Sequence, residues 1–148
     1  MDSTIDPMAS RALLLVKALD LRRDCGKALS PDEYSSLHHS AFAGTLEILV
    51  DRLARPIGYI SWACVNKASA QRLLRYGKYP RYAYEWNEGV ICMILDILII
   101  GSARCEGLRR VRSFVRSQRA LVYRRSRGCR LYVRRGRRLI RSPGNKNR

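Results

Sequence analysis

The sequence predicts a small, single-domain α+β protein whose central sheet is mainly antiparallel and flanked by helices. Its 148 residues suit one domain with a modest core. Apolar residues make up 47% of the chain, which is too large a share for a disordered protein. Segments of helical and of period-two patterning follow one another along the chain, as they do in domains where helices and antiparallel strands intermix.

The first forty residues are predicted to contain one helix and one polar turn region. Apolar residues recur at helical spacing over residues 8–24, and Pro7 stands where a helix can begin. Gly26 and Pro31 are expected to end this unit. Residues 30–40, SPDEYSSLHHS, are polar and are predicted to form turns, and they contain both histidines of the chain.

Two strands, a helix and a loop are predicted next. Residues 46–51 and 57–63 carry β-branched and aromatic side chains with period-two character, which predicts an antiparallel hairpin. Asn66 can cap a helix over residues 67–75. Residues 78–89 are rich in Tyr, Pro, Asn and Gly and are predicted to form a loop.

An apolar run of eleven residues, 90–100, is predicted to form a buried strand that ends at Gly101. Asp96 interrupts the run, and a helix that crosses a bilayer needs about 20 apolar residues. The beginning of the chain lacks the basic and apolar segments of a secretory signal. The five cysteines are widely spaced and form no CxxC pair, which predicts free thiols rather than disulfides or a metal site. These features together predict a cytoplasmic protein.

The C-terminal third is predicted to add a helix, a hairpin and a tail. Residues 107–118 place apolar side chains on one side and arginines around the rest. Residues 120–123 and 130–133 are predicted to pair as a hairpin. Residues 137–148 are predicted to form a basic, disordered tail, so the folded domain is expected over residues 1–136.

Positive charge is concentrated in the second half of the chain. The net charge is +17, and residues 104–148 carry seventeen Lys and Arg against one acid, Glu106. The first 103 residues are close to neutral. This asymmetry predicts an acidic partner, for which the composition leaves three classes open: a nucleic acid, an anionic membrane or an acidic protein.

Three motifs stand in the order in which a known enzyme family has them. They are PIGYISWA at residues 56–63, EWNEG at residues 85–89, and Asp96 in the apolar strand that follows. The chain thereby resembles the toxin-activating lysine acyltransferases of RTX haemolysins over residues 35–133. That family has a P-[VI]-[GA]-[YF]-x-S-W-A strand, an acidic-Trp-x-x-Gly loop and a later strand with an Asp.

The resemblance implies an acyltransferase with a fold similar to that of the N-acetyltransferase superfamily. The family transfers a fatty acyl group from acyl carrier protein to an internal lysine of a protoxin. Acyl-acyl carrier protein is therefore the expected co-substrate and an RTX protoxin the expected partner, with no bound cofactor and no metal. The sequence leaves open whether the chain is a monomer or a homodimer.

The resemblance also implies two catalytic residues. The family's His follows an S-x-L segment, which corresponds to Ser35–His38 and assigns the role to His38. The family's Asp corresponds to Asp96. A histidine can take the proton that a lysine ammonium must lose before it attacks a thioester, and a carboxylate can orient the imidazole, so Asp96 is expected to partner His38.

Alternatives exist for both residues. The adjacent His39 is a second candidate for the base, and His38 can be an ordinary surface histidine. Asp96 can instead pair with an arginine or cap a backbone group. The tryptophans of the two motifs, Trp62 and Trp86, are expected to be core residues.

Two other functions compete with fatty acyl transfer. Basic residues alternate with Tyr123 and Tyr132 in the last hairpin and suit a nucleic-acid-binding module, although no recognised nucleic-acid motif is present. Residues 104–109, RCEGLR, hold part of the loop with which N-acetyltransferases bind the phosphates of acetyl-CoA. The last small residue of that loop is missing, which favours a donor carried by a protein over acetyl-CoA.

Overall fold

The structure is a computed structural model that describes residues 6–125, 128–135 and 138–142. Within them the chain forms four α-helices and one six-stranded sheet. The helices are α1 (Pro7–Asp24), α2 (Pro31–Ala43), α3 (Lys67–Tyr76) and α4 (Arg104–Ser117). The strands are β1 (Leu46–Val50), β2 (Pro56–Val65), β3 (Ile91–Ile99), β4 (Ala120–Arg125), β5 (Gly128–Arg135) and β6 (Arg138–Arg141). Short 3-10 helices cover Ala83–Trp86 and Gly101–Ala103.

The described strands lie in the sheet in chain order, from β1 to β6. Each strand pairs with its neighbours in sequence, and every pair is antiparallel except β3 with β4, which is parallel. The long connection that a parallel pair requires is supplied by α4. This arrangement confirms the prediction of a small α+β domain with a mainly antiparallel sheet.

The alternation of side chains along β2 divides the core between two faces of the sheet. Tyr59 and Ala63 are fully buried on one face, beneath α1, α2 and α3. Ile60 is fully buried on the other face, beneath α4. The first three helices and the fourth therefore cover opposite sides of the sheet.

The prediction of turns for residues 30–40 is wrong, because Pro31–Ala43 form α2. Ser30 caps this helix: its hydroxyl accepts a hydrogen bond from the Glu33 backbone N–H, and the Glu33 carboxylate accepts one from the Ser30 N–H at 2.9 Å. Gly44, with φ +76°, ends the helix in the left-handed conformation. The first five residues of α2 are exposed, so the beginning of the segment is polar without being irregular.

The prediction of disorder for residues 137–148 is wrong for Arg138–Arg141, which form β6. This strand pairs antiparallel with β5 and extends the sheet past the expected end of the domain. Its backbone hydrogen bonds come from β5, so a basic composition does not prevent it from joining the sheet. Residue 137 and residues 143–148 lie outside the described residues.

The other predicted elements are confirmed, with small shifts at their ends. β1 and β2 form the expected hairpin, and β3 covers the apolar run. The side-chain oxygen of Asn66 accepts a hydrogen bond from the Ser69 backbone N–H at 2.9 Å and caps α3 as predicted. The last hairpin pairs β4 with β5 over a longer stretch than expected, and residues 126–127 of its turn lie outside the described residues.

Two irregularities of β3 shape the middle of the sheet. Ser61 of β2 stands opposite Asp96, but the next residue, Trp62, stands opposite Ile94, so Leu95 is an extra residue in a β-bulge. The parallel ladder joins β3 to β4 only from Ile91 to Ile94. Beyond Ile94 a gap therefore opens between the two strands.

Replacement of Gly89 by alanine is expected to destabilise the fold by about 2 kcal/mol. A Cβ atom there would lie 2.4 Å from the Val65 carbonyl oxygen and 2.8 Å from the Asn66 Cα, and neither backbone atom can turn away. Urea unfolding measures the change. Gly101→Ala is the matched control, because a Cβ at Gly101 meets nothing within 4 Å. Equal midpoints for the two variants would contradict this account of the loop.

Candidate functional site

A cleft of about 840 Å³ opens on the face of the sheet that carries α2. One wall comes from α2, the other from residues 77–81 after α3, and the floor from β2 and β3. The polar side chains that line it are Asp32, Glu33 and His39 on α2, Lys78, Tyr79 and Arg81 opposite, and Ser61 and Asp96 on the floor. The cleft thus gathers a histidine, a carboxylate and a hydroxyl in one cavity.

Asp96 lies on the floor of this cleft, where the bulge at Leu95 turns its side chain to the α2 face. Its Oδ2 atom accepts hydrogen bonds from Arg22 Nη1 at 2.6 Å and from the Tyr59 hydroxyl at 2.5 Å. The side chain is 41% exposed. Asp96 is therefore held on one oxygen while the carboxylate still borders the cleft.

The expected contact between Asp96 and His38 is not formed. Among the described residues, the partners of the carboxylate are Arg22 and Tyr59, which matches the alternative that Asp96 pairs with an arginine. His38 is exposed on α2, and its ring lies 4.6 Å from that of Phe42, centre to centre. The structure places His38 outside the residues that line the cleft.

His39 is the histidine that lines the cleft together with Asp96. Successive residues of an α-helix are rotated by about 100° around its axis, so His38 and His39 face different directions. The His39 ring packs against Trp86, with 4.9 Å between ring centres. Its Nδ1 atom is buried without a hydrogen-bond partner among the described residues. His39, the second candidate, is therefore the histidine that shares the cleft with Asp96, although the hydrogen bonds of Asp96 go to Arg22 and Tyr59.

Arg22 is the site residue that the sequence analysis missed. Its side chain is only 10% exposed, and its two terminal nitrogens bind Asp96, Tyr59, the Ala28 carbonyl oxygen and Glu33. A buried charge requires such partners. Burial, followed by the hydrogen bond to Asp96, raises the pKa of Tyr59 well above its ordinary value, so the phenol stays protonated as a donor.

A sequence signal for Arg22 was present. Leu15, Ala18 and Arg22 follow one another at spacings of three and four residues, so Arg22 continues the buried stripe of α1. A charged residue in a buried stripe predicts a buried partner of opposite charge. What the spacing does not reveal is that this partner is Asp96, 74 positions further along the chain.

Two residues of the EWNEG motif, Glu85 and Trp86, are buried and stabilise the segments around the cleft. The Trp86 side chain is 1% exposed, and its indole N–H donates to Ser40 Oγ at 3.1 Å. Glu85 accepts hydrogen bonds from the backbone N–H groups of Arg81 and Tyr82 at 2.7 and 2.9 Å and from the Arg72 guanidinium. Burial works to raise the pKa of Glu85, but these hydrogen bonds outweigh it and hold the pKa below its usual range.

The two motif tryptophans lie on opposite faces of the sheet. Trp86 belongs to the core beneath α2 and α3, as predicted. Trp62 packs instead against Phe114 of α4, with 4.6 Å between ring centres. Of the PIGYISWA strand, Ser61 and not Trp62 lines the cleft. Trp62 therefore belongs to the core on the opposite face, whereas Trp86 is a core residue that also borders the cleft.

A second cavity, of about 330 Å³, occupies the gap between β3 and β4. Its lining is mainly apolar, from Ile94, Ile97 and Leu121, with Arg124 among the polar residues. Tyr79, Leu95 and Asp96 line both this cavity and the cleft. The two spaces therefore adjoin at Asp96.

Part of the positive charge of the basic half lies on α4, which covers the face of the sheet opposite α1, α2 and α3. The arginines of α4, namely Arg104, Arg109, Arg110, Arg112 and Arg116, are all exposed. Among the described residues, no salt bridge involves an arginine after residue 103. This surface is therefore a concentration of uncompensated positive charge that can attract an acidic partner.

The remaining chemistry of the described residues is limited. All five cysteines are free thiols, as predicted. In the described part of the chain, no three His, Cys, Asp or Glu side chains gather as a metal site would require. None of the described helices combines the length and the apolar character needed to cross a membrane.

The sequence of the chain was compared with protein-family models and with curated proteins. A scan against protein-family models finds no matching model, and a search of curated proteins finds no significant match. The resemblance to toxin-activating acyltransferases therefore stays a prediction that depends on the motifs themselves.

Proposed function

We propose that this protein is a lysine acyltransferase that moves a fatty acyl group from acyl carrier protein to an internal lysine of an RTX protoxin. One observation carries the proposal: His39 and Asp96 line the same cleft, and a second, largely apolar cavity adjoins it at Asp96. Transfer between two large substrates requires two such spaces that meet at the reacting atoms. The identity of the two substrates is inferred from the resemblance of the motifs to those of the toxin-activating acyltransferases.

Each space suits one substrate. The gap between β3 and β4 is narrow and mainly apolar, which fits the thioester end of an acylated pantetheine arm. The cleft is wider and carries carboxylates, which fits a lysine side chain on a protein segment. Because Tyr79 and Asp96 line both, the thioester carbon and the lysine nitrogen meet beside Asp96.

The reaction then needs a base and a stabilised charge. His39 takes a proton from the lysine ammonium, and the free amine attacks the thioester carbonyl carbon. The C–N bond forms, the C–S bond breaks, and the proton that the attacking nitrogen then loses balances the one that the departing pantetheine sulfur takes up to become a thiol. Asp96, held by Arg22 and Tyr59, stabilises the positive charge that develops on the amine and the imidazole.

The assignment of the base differs from the expectation that the motif raised. The S-x-L-H segment points to His38, whereas the lining of the cleft favours His39. His38 can act as the base only if α2 turns or shifts. The two histidines are adjacent, so single substitutions distinguish them directly.

The basic half of the chain supplies a docking surface for the donor. Acyl carrier proteins are strongly acidic, and the exposed arginines of α4 present uncompensated positive charge. Arg124 lines the gap between β3 and β4, where it can pair with the phosphate of the pantetheine arm. Charge of this kind increases the rate at which the partners associate.

Nucleic-acid binding is the second candidate, because the same positive charge attracts phosphates. The rings of Tyr123 and Tyr132 stack with 5.8 Å between their centres on strands that also carry arginines. Salt-dependent binding to arbitrary single-stranded DNA, without any acyl transfer, would support this function instead. Transfer from acetyl-CoA alone would support a conventional N-acetyltransferase.

Purified protein, acylated carrier protein and a protoxin fragment provide the test, with acyl-lysine detected by mass spectrometry. Asp96→Asn is expected to reduce the transfer rate about 100-fold, because the amide keeps the shape but loses the charge that orients and stabilises the reacting groups. Asp20→Asn, an exposed carboxylate of α1, is the matched control. Wild-type rates for Asp96→Asn would reject the role of Asp96, and no acyl-lysine with any protoxin would reject the function.

A further inference from the structure

The two walls of the cleft carry opposite charges. The α2 wall has Asp32 and Glu33, and the facing segment has Lys78 and Arg81. An acidic wall is unexpected in a chain with 29 basic and 12 acidic residues. A ligand with a positive group facing α2 and a negative group facing residues 77–81 would therefore complement the charges of this cavity.

Not all of these charges are available to a ligand. Glu33 caps α2 and binds Arg22, so both oxygens of its carboxylate already accept hydrogen bonds. Asp32, Lys78 and Arg81 form no salt bridge with any of the described residues. One free anion on the α2 wall thus stands opposite two free cations.

The basic wall is held in a fixed conformation. The buried carboxylate of Glu85 accepts the backbone N–H groups of Arg81 and Tyr82, and Pro80 is buried. A wall that is ordered before binding loses little conformational entropy when a ligand arrives. The backbone that carries Arg81 is therefore ordered before a ligand binds.

We propose that the cleft binds an extended peptide in a single chain direction, with the acceptor lysine between a basic residue on one side and an acidic residue on the other. The lysine extends to Asp96, the basic residue pairs with Asp32, and the acidic residue pairs with Lys78 and Arg81. A cleft of about 840 Å³ lies in the upper range of ligand sites, which span about 300–1,000 Å³, and accommodates a few residues of a peptide. That this lysine accepts the acyl group rests on the proposed function, whereas the preference of the cleft for such a peptide does not.

Fluorescence anisotropy with labelled peptides tests the preference without any acyl donor. Two lysine peptides of identical composition are compared, one in the order basic–Lys–acidic and the other in the order acidic–Lys–basic. Two favourable ion pairs at a partly exposed site are expected to make one order bind roughly tenfold more tightly than the other. Equal affinities for the two orders would overturn the proposal.

A charge swap across the cleft provides the second arm. The variant Asp32→Lys/Lys78→Glu/Arg81→Glu exchanges the signs of the walls and is expected to reverse the preferred order. The matched control Asp24→Lys/Lys17→Glu/Arg52→Glu makes the same net charge change on exposed residues that do not line the cleft and is expected to keep the original order. The same preference in the swapped variant as in the wild type would overturn the proposal.

Two further readouts keep the outcomes distinct. If the triple variant does not fold, as judged by its thermal melt, Lys78→Glu alone is expected to reduce the preference severalfold, and an unchanged preference would reject the site. An order preference without acyl transfer in the enzymatic assay would leave the peptide site standing and reject the proposed function. Acyl transfer without an order preference would support the proposed function and reject the peptide site.

Discussion

His39→Ala is expected to reduce the rate of acyl transfer about 1,000-fold, whereas His38→Ala is expected to leave it close to the wild-type rate. A positioned general base contributes about 10²–10⁴-fold to a rate, because it removes the proton as the nucleophile attacks. His39 lines the cleft with Asp96, and His38 is exposed beside Phe42. The two adjacent substitutions remove the same chemical group from different places.

Single-turnover transfer from acylated carrier protein measures both variants under conditions where binding is saturated. His39→Gln is a necessary companion, because His39 packs on Trp86 and alanine would also leave a void there. Glutamine fills much of the space but cannot act as a base near neutral pH. A large loss in His38→Ala with near wild-type activity in His39→Gln would show that the S-x-L-H segment identifies the base correctly and that α2 rearranges.

Trp86→Ala is expected to destabilise the fold by about 4 kcal/mol, the largest effect on stability among the substitutions considered. The indole is 1% exposed, packs in the core between α2 and α3, and donates a hydrogen bond to Ser40. Alanine leaves a cavity that the surrounding core cannot fill. Since a domain of this size has a total stability of about 5–15 kcal/mol, the midpoint of thermal unfolding should fall by roughly 10 °C.

Urea unfolding followed by circular dichroism measures this loss. Trp86→Phe separates its two causes, because phenylalanine keeps most of the packing and removes only the hydrogen bond, which contributes about 1 kcal/mol. Trp62→Ala is the natural comparison, since Trp62 lies on the other face and is less buried. A loss for Trp86→Ala no greater than that for Trp62→Ala would mean that the motif does not stabilise the core.

The motifs that carry the family resemblance divide into structural and chemical parts. Trp86, Glu85 and Gly89 hold the segment that forms one wall of the cleft, through burial, backbone hydrogen bonds and close backbone contact. Ser61 and Asp96 stand opposite each other on neighbouring strands and form the floor. The first group thus stabilises the fold around the cleft, and the proposed chemistry depends on the smaller, second group.

Local patterning predicted the parts of the fold that are decided by local interactions. The hairpin of β1 and β2 and the strand β3 consist of apolar and β-branched runs, and α3 is an amphipathic segment that follows its cap. α2 was missed although its capping box stands in the sequence as Ser30 to Glu33, because its exposed first half is polar and has the composition of a turn. β6 was missed because only pairing with β5 makes a short basic segment a strand.

By itself, the sequence determined the α+β class, the separation of the basic half, and the presence of an aspartate, Asp96, within an apolar strand. Only the tertiary structure decided which groups meet Asp96. The bulge at Leu95 turns its carboxylate to the α2 face, where Arg22 binds it and His39 lines the same cleft. The physical reason is that periodicity and capping act over a few residues, whereas a buried charge takes its partner from wherever packing brings one within hydrogen-bond distance.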